Sequence, residues 1–208
     1  MSRAVTPELL ARVRAEARAC FRGARGSHDW DHTERVLRLC LKIGRKEKAD
    51  LGVLTLAALL HDIGRQAEDR SRGRICHARS GAAAARAILD RLGCDKAAVR
   101  AVVDGIRTHR FRRGREPRTL EARVLFDADK LDSIGAVGIA RAYLFAGEIG
   151  ACLHNPAVAP EDSQSYTRDD TGYREFMVKL RHVKDHMLTN EGRRLALVCQ
   201  VDLHFRRR

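Results

Sequence analysis

Histidine and aspartate side chains lie at points of the sequence where helices are predicted to begin or end. His32 opens one amphipathic segment, the pair His61-Asp62 follows the almost entirely apolar stretch 54–60, and His109 precedes an arginine-rich segment. Burying a carboxylate and an imidazole after so apolar a stretch costs several kcal/mol unless they are paired or bind a cation. Mixed nitrogen and oxygen ligands suit Mn, Fe, Zn, Co or Ni, and Mg can bind through the carboxylates. The pair therefore indicates a metal site, whereas a lone histidine at a helix end is more often a cap or a surface residue.

Three further acids, Asp127, Asp129 and Asp132, lie on one predicted helix. Two residues along a helix correspond to about 200° of rotation, so Asp127 and Asp129 point to opposite sides and only one of them can face a given site. Hydrophobic periodicity does not choose between them, because each shares a face with apolar neighbours.

Apolar residues recur at helical spacing along most of the chain and predict the elements that must position these groups. Thr6-Pro7-Glu8 is typical of a helix start, and Gly64 of a helix end. The predicted helices are residues 7–21, 31–48, 51–64, 77–92, 96–108, 120–134, 136–148, 173–187 and 190–205. Polar loops are predicted at 65–74 and 152–171. Because no strand alternation, repeat or linker is visible, we predict an all-α fold formed by a single domain over residues 1–208.

The composition agrees with one helical domain. The chain has 208 residues, 44% of them hydrophobic, and only 4 prolines, so it can bury a core without disulfides. No apolar run approaches the roughly 20 residues that span a bilayer, and charges interrupt the N-terminal segment where a signal peptide would be apolar. We therefore expect a cytoplasmic protein that does not enter membranes, with its six dispersed cysteines as reduced thiols.

The chain is strongly basic, with a net charge of +13 from 40 lysines and arginines against 27 acids. Such a charge attracts anionic ligands more readily than cationic ones. The basic residues are dispersed, with clusters only at 110–118 and 206–208. This pattern fits an arginine-rich surface better than a nucleic-acid-binding face, although nucleic acid stays open as a less favoured partner.

The ordered segments resemble a known family. His32, then the stretch 59–64 containing His61-Asp62, then 127–132 with Asp129 is similar to the H…HD…D pattern of HD-domain metal-dependent phosphohydrolases. Residues 28–32, 127–141, 176–180 and 187–193 also resemble a small bacterial subgroup, so the resemblance covers about residues 27–194. It implies an HD-type helical bundle that hydrolyses a phosphate ester or anhydride, with nucleoside triphosphates as the suggested substrates and pyrophosphohydrolysis as the reaction.

The resemblance also implies a ligand set for a divalent metal, with Mn or Mg foremost and Fe, Co, Ni or Zn as alternatives. The implied metal ligands are His32, His61, Asp62 and Asp129. Asp129 is chosen over Asp127 because, in the family pattern, the distant aspartate follows an alanine and precedes a basic residue and a leucine. Asp132, one turn on, would face the same pocket and orient a ligand or contact substrate. Asp127 would remain as an acid on the helix surface.

Other basic and imidazole groups are implied to act on the substrate. His77 and His109 match positions that bind a second ion in two-metal relatives, and here they are expected to serve in catalysis or to hydrogen-bond the phosphate. Lys130 is expected to serve in catalysis with these histidines. Arg35 and Lys179 are expected to bind substrate, and all three basic residues would neutralise phosphoryl charge. For these three basic residues a surface ion pair is an equally good interpretation.

Two other functions stay open. One is a module that binds a nucleotide or nucleic acid without turnover, which the charge and the loop 110–115 favour but the intact ligand set does not. The other is a phosphodiesterase for a dinucleotide, which needs two metals and for which the GYP-type motif is absent. Hydrolysis of guanosine tetraphosphate is not expected, because Arg65 and Gln66 stand where those enzymes carry two acids.

Overall fold

The computed structural model of the chain describes residues 5–24, 26–110 and 116–199. In that part of the chain there are ten α-helices and two 3-10 segments, and no β-strand. The helices are α1 (Pro7–Ala19), α2 (Trp30–Glu47), α3 (Leu51–Leu60), α4 (Arg65–Arg70), α5 (His77–Arg91), α6 (Lys96–Thr108), α7 (Leu120–Asp132), α8 (Gly135–Glu148), α9 (Gly172–Val178) and α10 (Asn190–Cys199). The 3-10 segments are Gly26–His28 and Leu180–His186. The predicted all-α fold is confirmed.

Short polar side chains fix the first residues of most helices. Thr6 accepts a hydrogen bond from the backbone N–H of Leu9 at 3.2 Å, and the Asp50 carboxylate accepts from Gly52 and Val53 at 2.8 and 3.0 Å. Each such bond satisfies a backbone donor that the helix itself leaves unpaired. Equivalent caps are made by Asp29, Asp95, Thr119 and Thr171.

The apolar helix α3 lies at the centre of the core. Its residues from Leu56 to Leu60 are all buried, and it packs against α1, α2, α6 and α7. Helix α5 packs on α6, and α10 packs on α2 and α7. This arrangement brings the end of α3 close to the first turn of α2, the end of α6 and the middle of α7.

The segment between α3 and α5 differs from the polar loop that was predicted for residues 65–74. It contains the short helix α4, in which Glu68 is buried. A Cβ on Gly64 would lie 2.4 Å from the carbonyl oxygen of His77, so the glycine lets the start of α4 pack directly against α5. The prediction was wrong because α4 is held by ionic contacts, which leave no apolar periodicity.

The predicted helix 173–187 is interrupted in the structure, and the predicted helix 190–205 is described only as far as Cys199. Residues 173–187 divide into α9 and a 3-10 segment, because Lys179 adopts φ −141° and ψ −60°, outside the helical region. Helix α10 ends at Cys199, and the remainder of the predicted helix 190–205 lies outside the described residues.

The structure also describes the cysteines and the apolar character of the helices. All six cysteines are free thiols. None of the helices in the described ranges has both the length and the apolar character needed to cross a membrane.

Candidate metal centre

Four histidines and three aspartates from five helices converge at the end of α3. The histidines are His32 in the first turn of α2, His61 after α3, His77 at the start of α5 and His109 after α6. The aspartates are Asp62 beside His61 and Asp129 and Asp132 near the end of α7. All are buried except Asp129, whose side chain is 13% exposed and so reaches toward solvent.

One group of ligand atoms surrounds His32. Its Nε2 lies 3.2 Å from His61 Nε2, 3.5 Å from Asp129 Oδ1 and 3.6 Å from Asp62 Oδ2, and His61 Nε2 lies 3.9 Å from the same Asp62 oxygen. The triangle formed by the two nitrogens and Asp62 Oδ2 has a circumscribed radius of about 2.1 Å, which is the length of a metal–imidazole or metal–carboxylate bond. These three atoms could therefore hold one ion, and Asp129 lies close enough to His32 and His61 to join them as a fourth ligand.

A second group surrounds the other oxygen of Asp62. Oδ1 lies 3.6 Å from His77 Nε2 and 3.7 Å from His109 Nε2, and the two nitrogens are 3.2 Å apart. This triangle has a radius of about 2.0 Å, again a metal–ligand length. Asp62 thus joins two triads of ligand atoms, one through each carboxylate oxygen.

The outer nitrogens of the histidines show how well the site suits a cation. His61 Nδ1 lies 2.8 Å from the Ala58 carbonyl oxygen, and His109 Nδ1 lies 2.6 Å from the Ile106 carbonyl oxygen. His32 Nδ1 lies 2.7 Å from Asp132 Oδ2. Because these oxygens only accept, each Nδ1 must donate, and Nε2 of a neutral ring then carries a lone pair.

With both rings neutral, the Nε2 atoms of His32 and His61 would face each other as two lone pairs at 3.2 Å, which cannot form a hydrogen bond. A bound cation satisfies both nitrogens at once, and an outer acceptor at Nδ1 is typical of metal-binding histidines. The donor set therefore fits a divalent metal.

The protonation states of His61, Asp62 and Asp129 at neutral pH also suit a metal ion. Burial lowers the pKa of His61 to about 4, so its ring is neutral. Burial raises the pKa of Asp62, but Arg65 and His61 lower it by more, and it lies well below its usual range. Lys130 and His32 do the same for Asp129. Neutral imidazoles and ionised carboxylates are the forms that bind metal, so little proton release is needed.

Comparison with known proteins identifies the family. The sequence model of the HD domain matches residues 29–134, which contain all of these histidines and aspartates. This chain belongs to the HD domain family. It is 39% identical over 177 residues to YpgQ of Bacillus subtilis, an uncharacterized protein, covering 81% of this chain and 76% of YpgQ.

Solved structures share the HD fold over nearly the whole chain. A crystal structure of YpgQ in complex with ADP superposes with a TM-score of 0.69 at 32% identity, covering 91% of this chain and 86% of that one. A protein from Lactobacillus plantarum gives 0.78 at 27% identity, covering 93% and 91%. A predicted HD superfamily hydrolase from an uncultured Thermotogales bacterium gives 0.63 at 29% identity, covering 91% and 84%. The chain therefore has the fold of HD-superfamily hydrolases.

Asp132 connects the HD site to two arginines. Its carboxylate is 2.7 Å from His32 Nδ1, and it accepts from Arg35 Nε at 2.6 Å and from Arg141 Nη1 at 2.7 Å. Two of the residues expected to bind substrate, Arg35 and Asp132, thus contact each other. Asp132 contacts the candidate ligand His32, while Arg141, which was not singled out from the sequence, lines the adjacent cavity.

The two lysines lie on the open side of the site. Lys130 is buried, and its Nζ donates to Asp129 Oδ2 at 2.6 Å. Burial lowers the pKa of Lys130, and Asp129 opposes that shift. Lys179 pairs with Glu175, and both lysines line a cavity of about 170 Å³ beside the metal ligands. The aromatic rings of Phe145 and Tyr166, 5.6 Å apart, form another part of its wall.

The expectation that Asp127 is a surface acid is wrong. Asp127 is fully buried and accepts hydrogen bonds from the backbone N–H of Leu188 and Thr189, both at 2.8 Å, and from Thr189 Oγ1 at 2.6 Å. These three bonds offset the cost of burying the carboxylate. Asp127 therefore fastens the start of α10 to α7, on the side of the helix away from the HD site.

A network around Glu68 was missed in the sequence. Glu68 is 2% exposed and contacts Arg65 Nη1 and Arg110 Nη2, both at 2.8 Å, and the Nδ1 of His77. Burial alone raises the pKa of Glu68, but His77, Arg65 and Arg110 lower it to about 2. The spacing of Asp62, Arg65 and Glu68 by three residues is the signal that could have revealed it, since such groups are neighbours on a helix.

Proposed function

We propose that this HD domain is a divalent-metal-dependent phosphohydrolase that acts on nucleotides, with nucleoside triphosphates as substrates and pyrophosphate release as the reaction. The observation that carries the proposal is the convergence of His32 Nε2 and His61 Nε2, 3.2 Å apart, with the carboxylates of Asp62 and Asp129, next to a cavity lined by Lys130, Arg141 and Lys179. The crystal structure of YpgQ in complex with ADP supports a nucleotide as the ligand.

In this proposal His32, His61, Asp62 and Asp129 hold the ion. When bound, such an ion supplies Lewis-acid chemistry, because it lowers the pKa of a water and polarises a phosphoryl oxygen. Mn²⁺ and Mg²⁺ are the ions we favour, since half of the donor set is carboxylate. Asp132 holds the His32 ring in the tautomer that offers Nε2 to the ion.

The chain's own cations bind the phosphates. Lys130, Arg141 and Lys179 all line the cavity, so negative charge that spreads over phosphoryl oxygens in the transition state lies close to fixed positive charge. Lys130 is placed best for this, because it is buried against Asp129 and cannot swing into solvent without breaking that ion pair. Arg35, held by Asp132 at the edge of the site, adds to the positive field.

His77 and His109 stay predictions as catalytic residues. Their rings lie on the Asp62 Oδ1 side, and His77 also lines the cavity, where it can contact a phosphoryl oxygen. Burial and then the positive charge of Arg65 lower the pKa of His77 to about 3, against the opposite effect of Glu68 and Asp62. His77 is thus a neutral ring at physiological pH.

The nucleoside would use the apolar part of the cavity. Phe145 and Tyr166 offer ring surface on which a base can stack, a contact worth about 1–3 kcal/mol that tolerates any base. Tyr166 Oη donates to Asp69 at 3.3 Å, which helps to fix its ring.

A phosphodiesterase acting on dinucleotides is the second candidate, and the second triad around Asp62 Oδ1 is the observation that favours it. Residues 111–115 of the loop that suggested nucleic-acid binding lie outside the described residues.

The test is a screen for phosphate and pyrophosphate release from nucleoside triphosphates and diphosphates and from cyclic and linear dinucleotides, with Mn²⁺, Mg²⁺, Co²⁺, Ni²⁺ and Zn²⁺. We expect turnover of triphosphates that is lost in His61→Ala and Asp62→Ala, with the helical circular dichroism retained. Turnover of dinucleotides alone would favour the phosphodiesterase. Nucleotide binding without release under any metal, or equal activity in the variants, would contradict the proposal.

A further inference from the structure

An arginine stands against the second triad of ligand atoms. Arg65 Nη2 lies 3.2 Å from Asp62 Oδ1 and 3.1 Å from His77 Nε2, which are two of the three atoms of that triad. Since Nδ1 of His77 faces the Glu68 carboxylate and donates to it, the Nε2 lone pair of the neutral ring accepts an N–H of the guanidinium. One cationic group thus satisfies both atoms, as a metal ion would.

The guanidinium is held from both sides. Nη1 donates to Glu68 at 2.8 Å, while Nε and Nη2 face the carboxylate of Asp62. Glu68 is itself buried and fixed by Arg110. The backbone is fixed as well, because Gly64 packs directly on α5 with no room for a Cβ. Moving Arg65 away would leave Glu68 and Asp62 each short of a partner inside the protein, which is costly.

The guanidinium and a second ion cannot share this place. A second ion would lie at the point equidistant from the three ligand atoms. Because Arg65 Nη2 is 3.1–3.2 Å from two of those atoms, it can be no more than about 3.5 Å from that point. Like charges repel strongly at such a separation. The triad supplies a single negative charge, that of Asp62, which the first group also uses. One carboxylate cannot balance the charges of a divalent ion and a guanidinium together.

We propose that Arg65 takes the place of a second metal ion in this HD domain, so that the chain binds one divalent ion and not two. The ion is the one that the proposed function places at His32, His61, Asp62 and Asp129, and the inference rests on that site. Arg65 is a positioning residue in this scheme: it donates to both oxygens of Asp62, at 3.2 Å to Oδ1 and 3.3 Å to Oδ2, and so fixes the orientation of the carboxylate that the ion shares. The charge of the second cation is then built into the chain and independent of metal concentration.

The experiment counts ions in protein freed of metal with a chelator and titrated with Mn²⁺. Bound Mn²⁺ is measured by elemental analysis after removal of free ion, and its magnetic state by electron paramagnetic resonance. The wild type should bind one Mn²⁺ per chain with the six-line spectrum of an isolated ion. Arg65→Met, which keeps much of the length but removes the charge, should bind two, with a spectrum broadened by exchange coupling through Asp62. Arg65→Lys, the matched control, should stay at one.

The outcomes separate this inference from the proposed function. Two exchange-coupled ions in the wild type would overturn the role of Arg65 while leaving a metal-dependent enzyme. No bound Mn²⁺ in the wild type would overturn both. If Arg65→Met binds two ions, adding His77→Ala should return it to one, and a second ion that persists would place that ion elsewhere and contradict the inference. A single ion in folded Arg65→Met would also overturn the role of Arg65, and Arg65→Gln, which removes the charge as well, repeats the count if the methionine variant does not fold.

Discussion

Replacing Asp132 by asparagine alters a residue that is not one of the proposed metal ligands but contacts one of them, His32. Asp132 is 5% exposed and makes close contacts to His32 Nδ1, Arg35 Nε and Arg141 Nη1, at 2.7, 2.6 and 2.7 Å. Asparagine has nearly the same shape, but it has a single acceptor oxygen and no charge. If that oxygen serves His32, the amide N–H groups face an arginine, and if it serves the arginines, His32 loses the acceptor that fixes its tautomer.

Loss of an outer partner of a metal-binding histidine weakens metal affinity by about tenfold to a hundredfold. We expect a loss of that size for Mn²⁺ in Asp132→Asn. Hydrogen bonds to charged groups contribute about 1.5–3 kcal/mol each, and the net loss in unfolding free energy should be about that of one such bond, because the amide retains part of the network.

The assay is calorimetric titration of metal-free protein with Mn²⁺, together with urea unfolding of the same samples. The matched control is Asp127→Asn, which changes a fully buried aspartate of the same helix whose three hydrogen bonds go to Leu188 and Thr189. It should lower the free energy of unfolding by a similar amount and leave Mn²⁺ affinity unchanged. Wild-type affinity in Asp132→Asn, or an equal loss in both variants, would refute the role we give to Asp132.

Three further changes test the structure. Gly192→Ala should lower the free energy of unfolding by about 1–3 kcal/mol in urea, because the new Cβ would lie 2.2 Å from Asp127 Oδ2, whereas Gly147→Ala, with nothing within 4 Å, should not. Thr33→Val should raise the free energy of unfolding by about 1 kcal/mol, since Thr33 Oγ1 is buried with no hydrogen-bond partner in the described part of the chain. A free energy of unfolding below that of the wild type would reveal a partner. In metal-free protein the folded pKa of His61, about 4, lies below its ordinary 6.5, so the unfolded chain binds more protons between these values. Through His61 alone, stability should therefore fall by roughly 3 kcal/mol as the pH drops through that window. His77, whose pKa is lowered to about 3, adds to this fall, and a flat profile would contradict the burial of neutral rings.

The helices that carry the metal ligands could be predicted because their signals are local. Asp50 and Asp95 cap their own helices, and the apolar stretch before His61 has to be central in any compact fold of this chain. The pair His61-Asp62 is adjacent in sequence, so burying one brings in the other. That the structure gathers His32 and Asp129 at the same place follows from the packing of α2 and α7 against α3, which the family pattern anticipated.

The features that could not be predicted depend on partners distant in sequence. Asp127 is buried because Leu188 and Thr189, which lie far along the chain, donate hydrogen bonds to it. The hydrophobic periodicity of its own helix does not reveal these partners. Arg65 looked like a departure from a motif, and its contact with His77 forms only once α4 packs on α5. In both cases the deciding interaction is between charged or polar groups, to which hydrophobic patterns are insensitive.

The most direct test of the metal centre is a crystal structure of the protein grown with Mn²⁺, with anomalous differences measured at the manganese edge. We expect one strong anomalous peak, at bonding distance from His32 Nε2, His61 Nε2, Asp62 Oδ2 and Asp129 Oδ1. An empty site at saturating Mn²⁺, or a peak bound by other side chains, would contradict it.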